Sequence, residues 1–446
     1  MEIQSSEKQS YALFVCVPFI GHLNPLLRQA EELAQRGWRV SIASFEPIGD
    51  YIKKNFPAVH FISVGEPSAT FEEAEAFLAR VSEEKSWLKS TLLLLGPLED
   101  FWSIMFDSLL IEVRRDRPDV MVIDFVSTAG LDVAEMENIP YVINNPDLLT
   151  VLPATLLPFT ASAPQLFSGH SVHKMGPLQK ISAYIIRALG IAIAQLTINR
   201  RTNKMRSTRG LSPVDNLRRL KGRTILVNCA FGLEYERPIP SWIHMTGPIF
   251  TKAMLDLPED WNSWLNNGLP VVYVNLGTLA SPSTEQLQRM SSAFDSDRFR
   301  VLWVMRKSIS SRLPAVLPGN VRIENWVPSP TAILNHSNVF AFVSHCGVNS
   351  VHESIEAGTP IIAIPMFAAQ YDMGMRVKDA SVGLLLDKTS FTPKELQNAI
   401  FELLHNQQFK KNIAAIKKRF REAGGVQRAA DLITTEARLS VRGAII

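Results

Sequence analysis

The chain has 446 residues, too long for one hydrophobic core of ordinary size, which predicts two or more domains. Hydrophobic residues make up 46% and charged residues 20% of the sequence, as in globular enzymes that dissolve in water. The formal net charge of +3 is small. The short cluster of Lys417, Lys418, Arg419 and Arg421 fits the solvated face of a helix, so a nucleic-acid-binding function receives little support.

The cysteines and the start of the chain bear on the cellular setting. Cys16, Cys229 and Cys346 lie in or beside apolar runs without the spacing of a metal site, which fits a reducing, cytoplasmic environment. The first ten residues are polar and lack the apolar segment of a signal peptide. The apolar stretch at 181–198 contains an arginine, a glutamine and a glycine, so we expect a buried or groove-lining helix and no membrane span.

Strands and helices alternate through the first half of the chain. An apolar run at 11–18 predicts a buried strand, a helix follows at 23–37, and a second strand follows at 38–45. Further strands are predicted at 60–65, 119–124, 141–145 and 224–229. This alternation is typical of an α/β domain with a doubly wound parallel sheet, to which we assign residues 1–240.

A proline-rich segment with few helix signals separates the two halves, and we place a linker at 241–257. A second series of strands is predicted at 271–277, 300–305, 321–326, 339–343 and 360–365. Residues 258–425 are therefore assigned to a second Rossmann-like domain. Two such domains in tandem face each other across a cleft at the carboxyl ends of their sheets, where ligands of these folds bind.

One polar stretch, SHCGVNSVHE, joins a predicted strand to a predicted helix in the second domain. His345, Gly347, Asn349 and Ser350 fall where the strand ends and the helix begins. Free backbone N–H groups and the helix dipole attract anions there, and glycine lets the backbone approach a ligand, which favours a diphosphate site. The alternative is that Asn349 and Ser350 cap the helix, His345 is a core histidine and Glu353 completes a capping box.

Other nucleotide and metal motifs are missing from the sequence. Neither half carries GxGxxG after its first strand, and no GxxxxGK[ST] occurs, so NAD-dependent and ATPase functions lack their usual signature. Asp295 and Asp297 suggest a metal-binding pair, but they precede a strand and so lie at the end of the sheet away from the cleft. A surface turn is the better interpretation, and we predict no metal site and no cofactor.

A set of residues between positions 326 and 370 keeps a characteristic spacing. They are Trp326, Pro328, His336, His345, Cys346, Gly347, Asn349, Ser350, Glu353, Gly358, Pro360, Pro365 and Gln370. This segment resembles the nucleotide-sugar signature of the family 1 UDP-glycosyltransferases, plant-type enzymes that glycosylate small lipophilic molecules. PFIGHLNP, Asp124 and NCAFGLE in the first half agree. The resemblance covers nearly the whole chain and implies a GT-B fold, whose C-terminal helix, here 426–446, crosses back to the first domain.

The resemblance also implies a role for each matched residue. Trp326 would stack on uracil, the backbone of Val327 would bond the edge of the base, and Glu353 would accept hydrogen bonds from the ribose hydroxyls. Ser329 would make a shortened ribose contact. The residues that would contact the diphosphate are Thr278, His345, Gly347, Asn349 and Ser350. Gln370 would hold the sugar, with Ala369 beside it.

Three positions depart from the plant pattern. Ser329 replaces a glutamine, Val348 replaces the tryptophan of HCGWNS, and Ala369 replaces the acidic residue that precedes the sugar-binding glutamine. Asp372 lies close in sequence and either compensates for the missing carboxylate or caps the following helix. These changes suggest a branch outside the plant enzymes, such as a fungal one, and leave the identity of the donor sugar open.

His22 and Asp124 are the candidate catalytic residues. His22 follows the first strand in a turn at Gly21, and Asp124 ends another strand. Alone, His22 could be a turn residue and Asp124 a helix cap. Together they suggest a dyad, in which neutral histidine removes the proton of an acceptor hydroxyl and the carboxylate stabilises the imidazolium. The acceptor would attack the anomeric carbon opposite UDP and invert its configuration. The helix N-terminus would stabilise the negative charge that grows on the diphosphate, so no metal is required.

Aromatic residues assigned to the first domain predict a lipophilic acceptor pocket: Phe19, Trp87, Phe101 and Phe159. We therefore predict a cytoplasmic, monomeric enzyme that transfers glucose from UDP-glucose to a flavonoid or other phenol. Two alternatives stay open. One is a nucleotide-sugar epimerase on the same two-domain plan, and the other is a catalytically silent paralogue that binds nucleotide sugar.

Overall fold

The computed structural model describes residues 9–69, 98–152, 199–216, 218–250, 256–277 and 280–443, with isolated positions within 73–93 and 169–196. These residues form two α/β domains, each built on a parallel sheet with helices around it. Across the part of the chain so described, no helix combines the length and the apolar character needed to cross a membrane.

The first domain is built on seven parallel strands. They are β1 (Tyr11–Val15), β2 (Arg39–Ser44), β3 (His60–Ser63), β4 (Val120–Asp124), β5 (Tyr141–Asn145), β6 (Ile225–Val227) and β7 (Ile243–Met245). Their order across the sheet is β3-β2-β1-β4-β5-β6-β7. The helices are α1 (Ile20–Gln35), α2 (Gly49–Asn55), α3 (Leu98–Arg115) and α4 (Thr128–Met136). Every residue of β1, β4 and β5 is buried, as expected of a parallel sheet covered on both faces.

Strand β7 lies inside the segment 241–257 that the sequence predicts as a linker. Its three residues pair in parallel with β6 at the edge of the first sheet. The flanking prolines suggested a linker, but an edge strand tolerates neighbouring prolines that a central strand would exclude. The linker prediction is therefore wrong for residues 243–245, while the other domain limits stay predictions.

The second domain has a six-stranded parallel sheet. Its strands are β8 (Val271–Asn275), β9 (Arg300–Val304), β10 (Val321–Glu324), β11 (Val339–Ser344), β12 (Ile361–Ala363) and β13 (Gly383–Leu385), in the order β10-β9-β8-β11-β12-β13. The helices are α5 (Glu259–Asn266), α6 (Thr284–Phe294), α7 (Lys307–Ser310), α8 (Pro330–Asn335), α9 (Val348–Ala357), α10 (Ala369–Asp379) and α11 (Pro393–His405). The strand order reverses at β8 here and at β1 in the first sheet, and ligands of such sheets bind beside these points.

The chain returns to the first domain at its end. After α12 (Gln408–Glu422), helix α13 (Gly425–Gly443) packs against α1. Buried Ala429, Ala430, Ile433 and Ala437 join the same core as residues of β1 and β4. The small alanine side chains allow close approach of the two helices. The C-terminal helix thus crosses back to the first domain, as the resemblance implies.

Strand β13, which the sequence did not predict, begins at a position that requires glycine. A Cβ atom on Gly383 would lie 2.0 Å from the carbonyl oxygen of Ile361 in the neighbouring strand β12. This oxygen belongs to the backbone of the sheet, so it cannot move aside as a flexible side chain could. The close approach of β12 and β13 therefore depends on the missing side chain.

Replacing Gly383 by alanine is expected to destabilise the protein by about 1–3 kcal/mol, the usual cost of overpacking. Thermal unfolding followed by circular dichroism measures the loss. Gly319→Ala is the matched control, because a Cβ atom at Gly319 would meet nothing within 4 Å. Equal losses in the two variants would contradict the packing argument.

Candidate active site

The predicted dyad forms where two strands of the first sheet end. β1 and β4 are parallel neighbours, with Val15 opposite Ile123, so the segments after them start at the same edge. Asp124 is the last residue of β4. His22 lies in the first turn of α1, since that helix begins earlier than the sequence suggested. Nδ1 of His22 and Oδ1 of Asp124 are 2.8 Å apart, a hydrogen-bond distance.

Asp124 contacts the histidine and does not cap the helix that follows it. Its carboxylate is fully buried, and Oδ2 accepts a hydrogen bond of 3.3 Å from the hydroxyl of Ser127. Ser127 is itself the N-cap residue of α4, and no side chain caps that helix. The alternative interpretation of Asp124 as a helix cap is therefore wrong.

Opposing effects set the pKa of His22. Burial lowers it, but the charge of Asp124, the hydrogen bond to Asp124 and the charge of Asp147 raise it, and the resulting pKa lies above the ordinary value. The side chain remains 24% exposed and is therefore accessible. Because the carboxylate accepts a hydrogen bond from Nδ1–H, neutral His22 has its lone pair on Nε2. This nitrogen can act as a base.

Aromatic rings surround the dyad. Phe125 stacks beside the imidazole of His22 at a centroid distance of 5.9 Å, and Phe19 meets it edge-on at 6.1 Å. Phe101 on α3 lies edge-on to Phe19 at 5.7 Å. Of the predicted pocket residues, Phe19 and Phe101 are thus brought beside His22, while Trp87 and Phe159 lie outside the described residues.

A crevice of about 170 Å³ adjoins Phe101, between α3 and the start of α4. Its lining is mostly apolar: Val17, Phe101, Trp102, Met105, Val126, Ser127, Thr128 and Ala129. Ser127, which contacts Asp124, forms part of this lining. Phe101 and Ser127 therefore connect this apolar crevice to the aromatic rings and the carboxylate beside His22.

In the second domain, two glycines enclose His345. A Cβ atom on Gly277 would lie 2.5 Å from Cε1 of His345, and one on Gly347 would lie 2.6 Å from Nε2. Burial lowers the pKa of His345 to about 4, against a small rise from a backbone hydrogen bond to Asn275, so the ring is neutral near pH 7. Its Nδ1 is buried without a hydrogen-bond partner among the described residues. A buried ring nitrogen without a hydrogen-bond partner among the described residues thus lies where the diphosphate is predicted to bind.

The N-terminus of α9 is open. Gly347 is its N-cap residue, and no side chain caps it, so the alternative interpretation of Asn349, Ser350 and Glu353 as capping residues is wrong. Its first backbone N–H groups therefore remain available for an anion. Nδ2 of Asn349 donates a hydrogen bond of 3.0 Å to the carbonyl oxygen of Gly21 in the first domain. The uncapped end of α9 thus lies next to the turn that carries His22.

Glu353 lies at a crevice of about 250 Å³ between the domains. The lining residues are Asn24, Ile249, Phe250, Asn349, His352 and Glu353. Burial raises the pKa of Glu353 to about 7. The hydroxyl of Tyr51 donates a hydrogen bond of 2.8 Å to Oδ1 of Asn24. Burial and the charge of Glu353 both raise the pKa of Tyr51, so first-domain side chains approach the residue predicted to bind ribose.

The predicted base-binding residues follow β10. Trp326 is 68% exposed, which leaves a free indole face for stacking, while Val327 is buried. Ser329 is the N-cap residue of α8, and its Oγ accepts a hydrogen bond of 3.1 Å from the backbone N–H of Ala332. The serine hydroxyl therefore keeps its proton and one lone pair for a ribose contact. Thr278 lies outside the described residues.

The predicted sugar-binding residues lie at the start of α10. Oε1 of Gln370 accepts hydrogen bonds from the backbone N–H groups of Met366 and Phe367, at 2.9 and 3.1 Å. Only its amide Nε2 is therefore free to meet a sugar. Ala369 is 8% exposed, and Ala368 before it has a φ of 51°, a backbone conformation rarely adopted by residues with side chains. The turn into this helix is thus strained next to the predicted sugar site.

Asp372 contacts the first domain. It is almost fully buried, and its Oδ1 accepts a hydrogen bond of 3.0 Å from the backbone N–H of Gly169 in the first domain. The N-cap residue of α10 is Ala368, so the interpretation of Asp372 as a helix cap is wrong. Compensation for the carboxylate that Ala369 lacks stays a prediction.

Four residues near the site were not predicted: Asn24, Tyr51, Phe125 and Asp147. Phe125 directly follows β4, and Asp147 comes two residues after β5, so position relative to a strand end is a signal that could have found them. Asn24 and Tyr51 lie on α1 and α2. They approach Glu353 only through the contact between the two domains, which no local pattern indicates.

The comparisons with known proteins include relatives from fungi and mammals. A UDP-glycosyltransferase of Talaromyces amestolkiae is 25% identical over 94% of this chain and 85% of its own length. The human 2-hydroxyacylsphingosine 1-beta-galactosyltransferase is 25% identical over 71% of this chain, and the match spans 59% of the human protein. A relative from a fungus agrees with the predicted branch outside the plants.

The solved structures support the same architecture. The crystal structure of the glycotransferase of kitacinnamycin superposes with a TM-score of 0.69 over 96% of this chain and 100% of that chain, at 19% sequence identity. This likeness shows the fold, which is GT-B with two parallel-sheet α/β domains. The sequence family described as UDP-glucoronosyl and UDP-glucosyl transferase matches residues 97–422, well over half of the chain. The chain therefore belongs to this family, the family 1 UDP-glycosyltransferases.

Proposed function

We propose that the protein is an inverting glycosyltransferase that moves a sugar from a UDP-sugar to a hydroxyl of a small lipophilic acceptor. The observation that carries the proposal is the hydrogen bond between His22 and Asp124, set next to the uncapped N-terminus of α9. Transfer of a sugar from a diphosphate to a hydroxyl requires a base and an anion-binding site close to each other.

In the proposed reaction, Nε2 of His22 accepts the proton of the acceptor hydroxyl. The acceptor oxygen forms a bond to the anomeric carbon while the bond from that carbon to the diphosphate oxygen breaks, and UDP leaves with the electron pair. Asp124 stabilises the imidazolium that results. The backbone N–H groups of α9 and the side chain of Asn349 would meet the growing charge on the diphosphate, so we propose that no metal is needed.

The nucleotide would be held by the second domain. The exposed face of Trp326 suits stacking on uracil, and Glu353 lies in the crevice where ribose hydroxyls would find an acceptor. The open end of α9 beside Gly347 suits a diphosphate. These positions are those that the family resemblance implies.

Glucose is the proposed donor sugar, and a phenol such as a flavonoid is the proposed acceptor. The aromatic surface of Phe19, Phe101 and Phe125 favours a flat, apolar acceptor. The human relative is named a galactosyltransferase, so UDP-galactose is the competing donor to test. The single free donor of Gln370 and the missing carboxylate at Ala369 predict weak discrimination between these sugars.

The epimerase and silent-paralogue alternatives give different products. Release of UDP only when a phenol is present supports transfer. A changed UDP-sugar without UDP release would indicate an epimerase, and nucleotide binding without any product would indicate a silent paralogue. Mass spectrometry of the products with UDP-glucose and UDP-galactose against a panel of phenols, terpenoids and sterols separates the three.

His22→Ala is expected to lower turnover by roughly 10²–10⁴-fold, since general-base catalysis is typically worth that much. The affinity for UDP should change little, because the proposed nucleotide contacts lie in the second domain. An assay of UDP release and calorimetry of UDP binding give the two values. His60→Ala, an exposed histidine on β3, is the control and should behave as the wild type. Near-normal turnover of His22→Ala with an unactivated alcohol would remove His22 from the mechanism.

The pH dependence tests the dyad. Because His22 must be neutral to act as a base, kcat/KM should rise with pH to a midpoint above 6.5, the ordinary value for histidine. Asp124→Asn removes the charge that raises the pKa of His22, so the midpoint should move to lower pH and the plateau should fall. Ser127→Ala removes only a neutral hydrogen bond to Asp124 and should leave the midpoint in place. An unchanged midpoint in Asp124→Asn would contradict the dyad.

Gln370→Glu removes the proposed sugar contact of Gln370 and keeps its hydrogen bonds to the preceding turn. The carboxylate can still accept from the N–H groups of Met366 and Phe367, but the amide donor is lost. Turnover with UDP-glucose should fall roughly 3- to 10-fold, the value of one hydrogen bond, and the preference over UDP-galactose should change. Gln370→Ala, which also loses the acceptor, should in addition lower the Tm. If Gln370→Glu keeps the wild-type rate and donor ranking, Gln370 does not contact the sugar.

A further inference from the structure

One face of α10 holds the two domains together. Asp372, Arg376 and Asp379 recur at the spacing i, i+4, i+7, which places them on one side of the helix. Their partners in the first domain are Gly169, Glu234 and Tyr235. The helix that begins with the proposed sugar contact Gln370 therefore also carries the polar contacts to the acceptor domain.

Arg376 makes the most deeply buried of these contacts. Its side chain and that of Glu234 are both 0% exposed, and Nη2 and Nε of Arg376 lie 2.6 and 3.1 Å from Oε1 of Glu234. Nη1 donates to the backbone oxygen of Asp372, and the guanidinium carbon lies 4.4 Å from the ring centroid of Tyr235. Burial raises the pKa of Glu234, but the charges of Arg376 and Arg237, together with hydrogen bonds from Arg376 and the backbone of Tyr235, outweigh this and hold it below the ordinary value. The pair is therefore charged.

Glu234 connects Arg376 to the loop after β5. Its second oxygen, Oε2, accepts a hydrogen bond of 2.9 Å from the backbone N–H of Leu149. Nη2 of Arg376 lies 3.4 Å from the hydroxyl of Thr150 in the same loop. An arginine of the second domain thus contacts a first-domain loop directly at the hydroxyl of Thr150 and, through Glu234, at the backbone N–H of Leu149.

The same loop carries Asp147 towards the dyad. β5 lies next to β4, with Asn144 opposite Asp124, so the loop starts beside the proposed catalytic carboxylate. Oδ1 of Asp147 accepts a hydrogen bond of 2.7 Å from the backbone N–H of Leu148, which fixes the side chain to the loop. The charged groups that act on His22 are Asp124 at the end of β4 and Asp147 in this loop. The charges of His22, Arg376 and Glu234 in turn act on the pKa of Asp147.

We infer that Arg376 is a positioning residue for the acceptor side of the site, because it anchors Glu234 and so the loop that sets Asp147 beside His22. This inference rests on the proposed function. It means that the helix proposed to hold the sugar also sets the electrostatic environment of the proposed base. The acceptor site would then be complete only when the two domains are in contact.

A buried ion pair is a poor source of stability, which gives the inference a physical basis. Removing two charges from water costs nearly as much as their attraction returns, and apolar replacements of such pairs are often neutral or stabilising. What the pair provides is geometry, because each charge needs its partner at one distance and direction. A pair placed between two domains therefore fixes how they meet.

The experiment uses the double variant Arg376→Met with Glu234→Gln, which removes both charges and leaves the net charge unchanged. The glutamine can still accept from Leu149, but nothing anchors it to α10. Arg219→Met is the matched control, since Arg219 is a buried arginine paired with Asp132 and Glu135 wholly inside the first domain. Asp147→Asn serves as the reference for loss of the loop charge.

Three measurements separate positioning from simple stability. The double variant should lose transfer kcat by about 10- to 100-fold, as small misplacements of reacting groups do, with little change in UDP affinity by calorimetry. The pKa of His22, followed by NMR titration with His22→Gln to assign the signal, should fall in the double variant and in Asp147→Asn. Adding Asp147→Asn to the double variant should lower it no further. Arg219→Met should change only the Tm.

The inference is overturned if the pKa of His22 stays at the wild-type value in the double variant, or if Asp147→Asn lowers it equally in both backgrounds. A kcat loss in Arg219→Met equal to that of the double variant would also overturn it. Should the double variant fail to fold, Arg376→Lys, which keeps a positive charge beside Glu234 but loses the planar guanidinium contacts, is measured in the same way. A wild type that transfers no sugar refutes the proposed function, whereas an active wild type with an unaffected double variant refutes only this inference.

Discussion

Parallel pairing is the constraint on which the rest of the structure depends. All described strand pairs in both sheets run parallel, so the carboxyl ends of the strands meet at one edge of each sheet. His22 and Asp147 follow β1 and β5 in the first sheet, and Asp124 is the last residue of β4. The loop before α9 follows β11 in the second, and its Asn349 reaches across to Gly21. Residues far apart in the sequence are thus collected into one site without any local signal that joins them.

Buried charge is handled in two ways in this molecule. Asp124 and Glu234 are fully buried, and each has a cationic or hydrogen-bonding partner at close distance, so they can remain charged. Among the described residues His345 has no charged partner, and burial lowers its pKa to about 4, so it stays neutral. The first solution holds His22 in one tautomer beside Asp124, and the second leaves an uncharged ring beside the open end of α9.

Helix α10 carries both the proposed sugar contact and the contacts to the first domain. Its first turn holds Gln370, whose side-chain oxygen accepts hydrogen bonds from the strained turn before it, and one face, from Asp372 to Asp379, contacts the first domain. A rigid helix keeps these groups at fixed distances from one another. The proposed sugar contact and the arrangement of the domains are therefore linked through one helix.

The sequence alone determined the fold class, most of the strands, and the residue types of the site, because apolar runs and motif spacing are local properties. It failed at β7 and β13, where a short edge strand lies between prolines and where a glycine permits close strand approach, since both depend on neighbouring backbone. Tertiary structure decided that Asp372 contacts the first domain and that Arg376 pairs with Glu234, 142 residues earlier in the chain. Hydrogen-bond partners are chosen by three-dimensional proximity, and no pattern of residues along the chain contains that information.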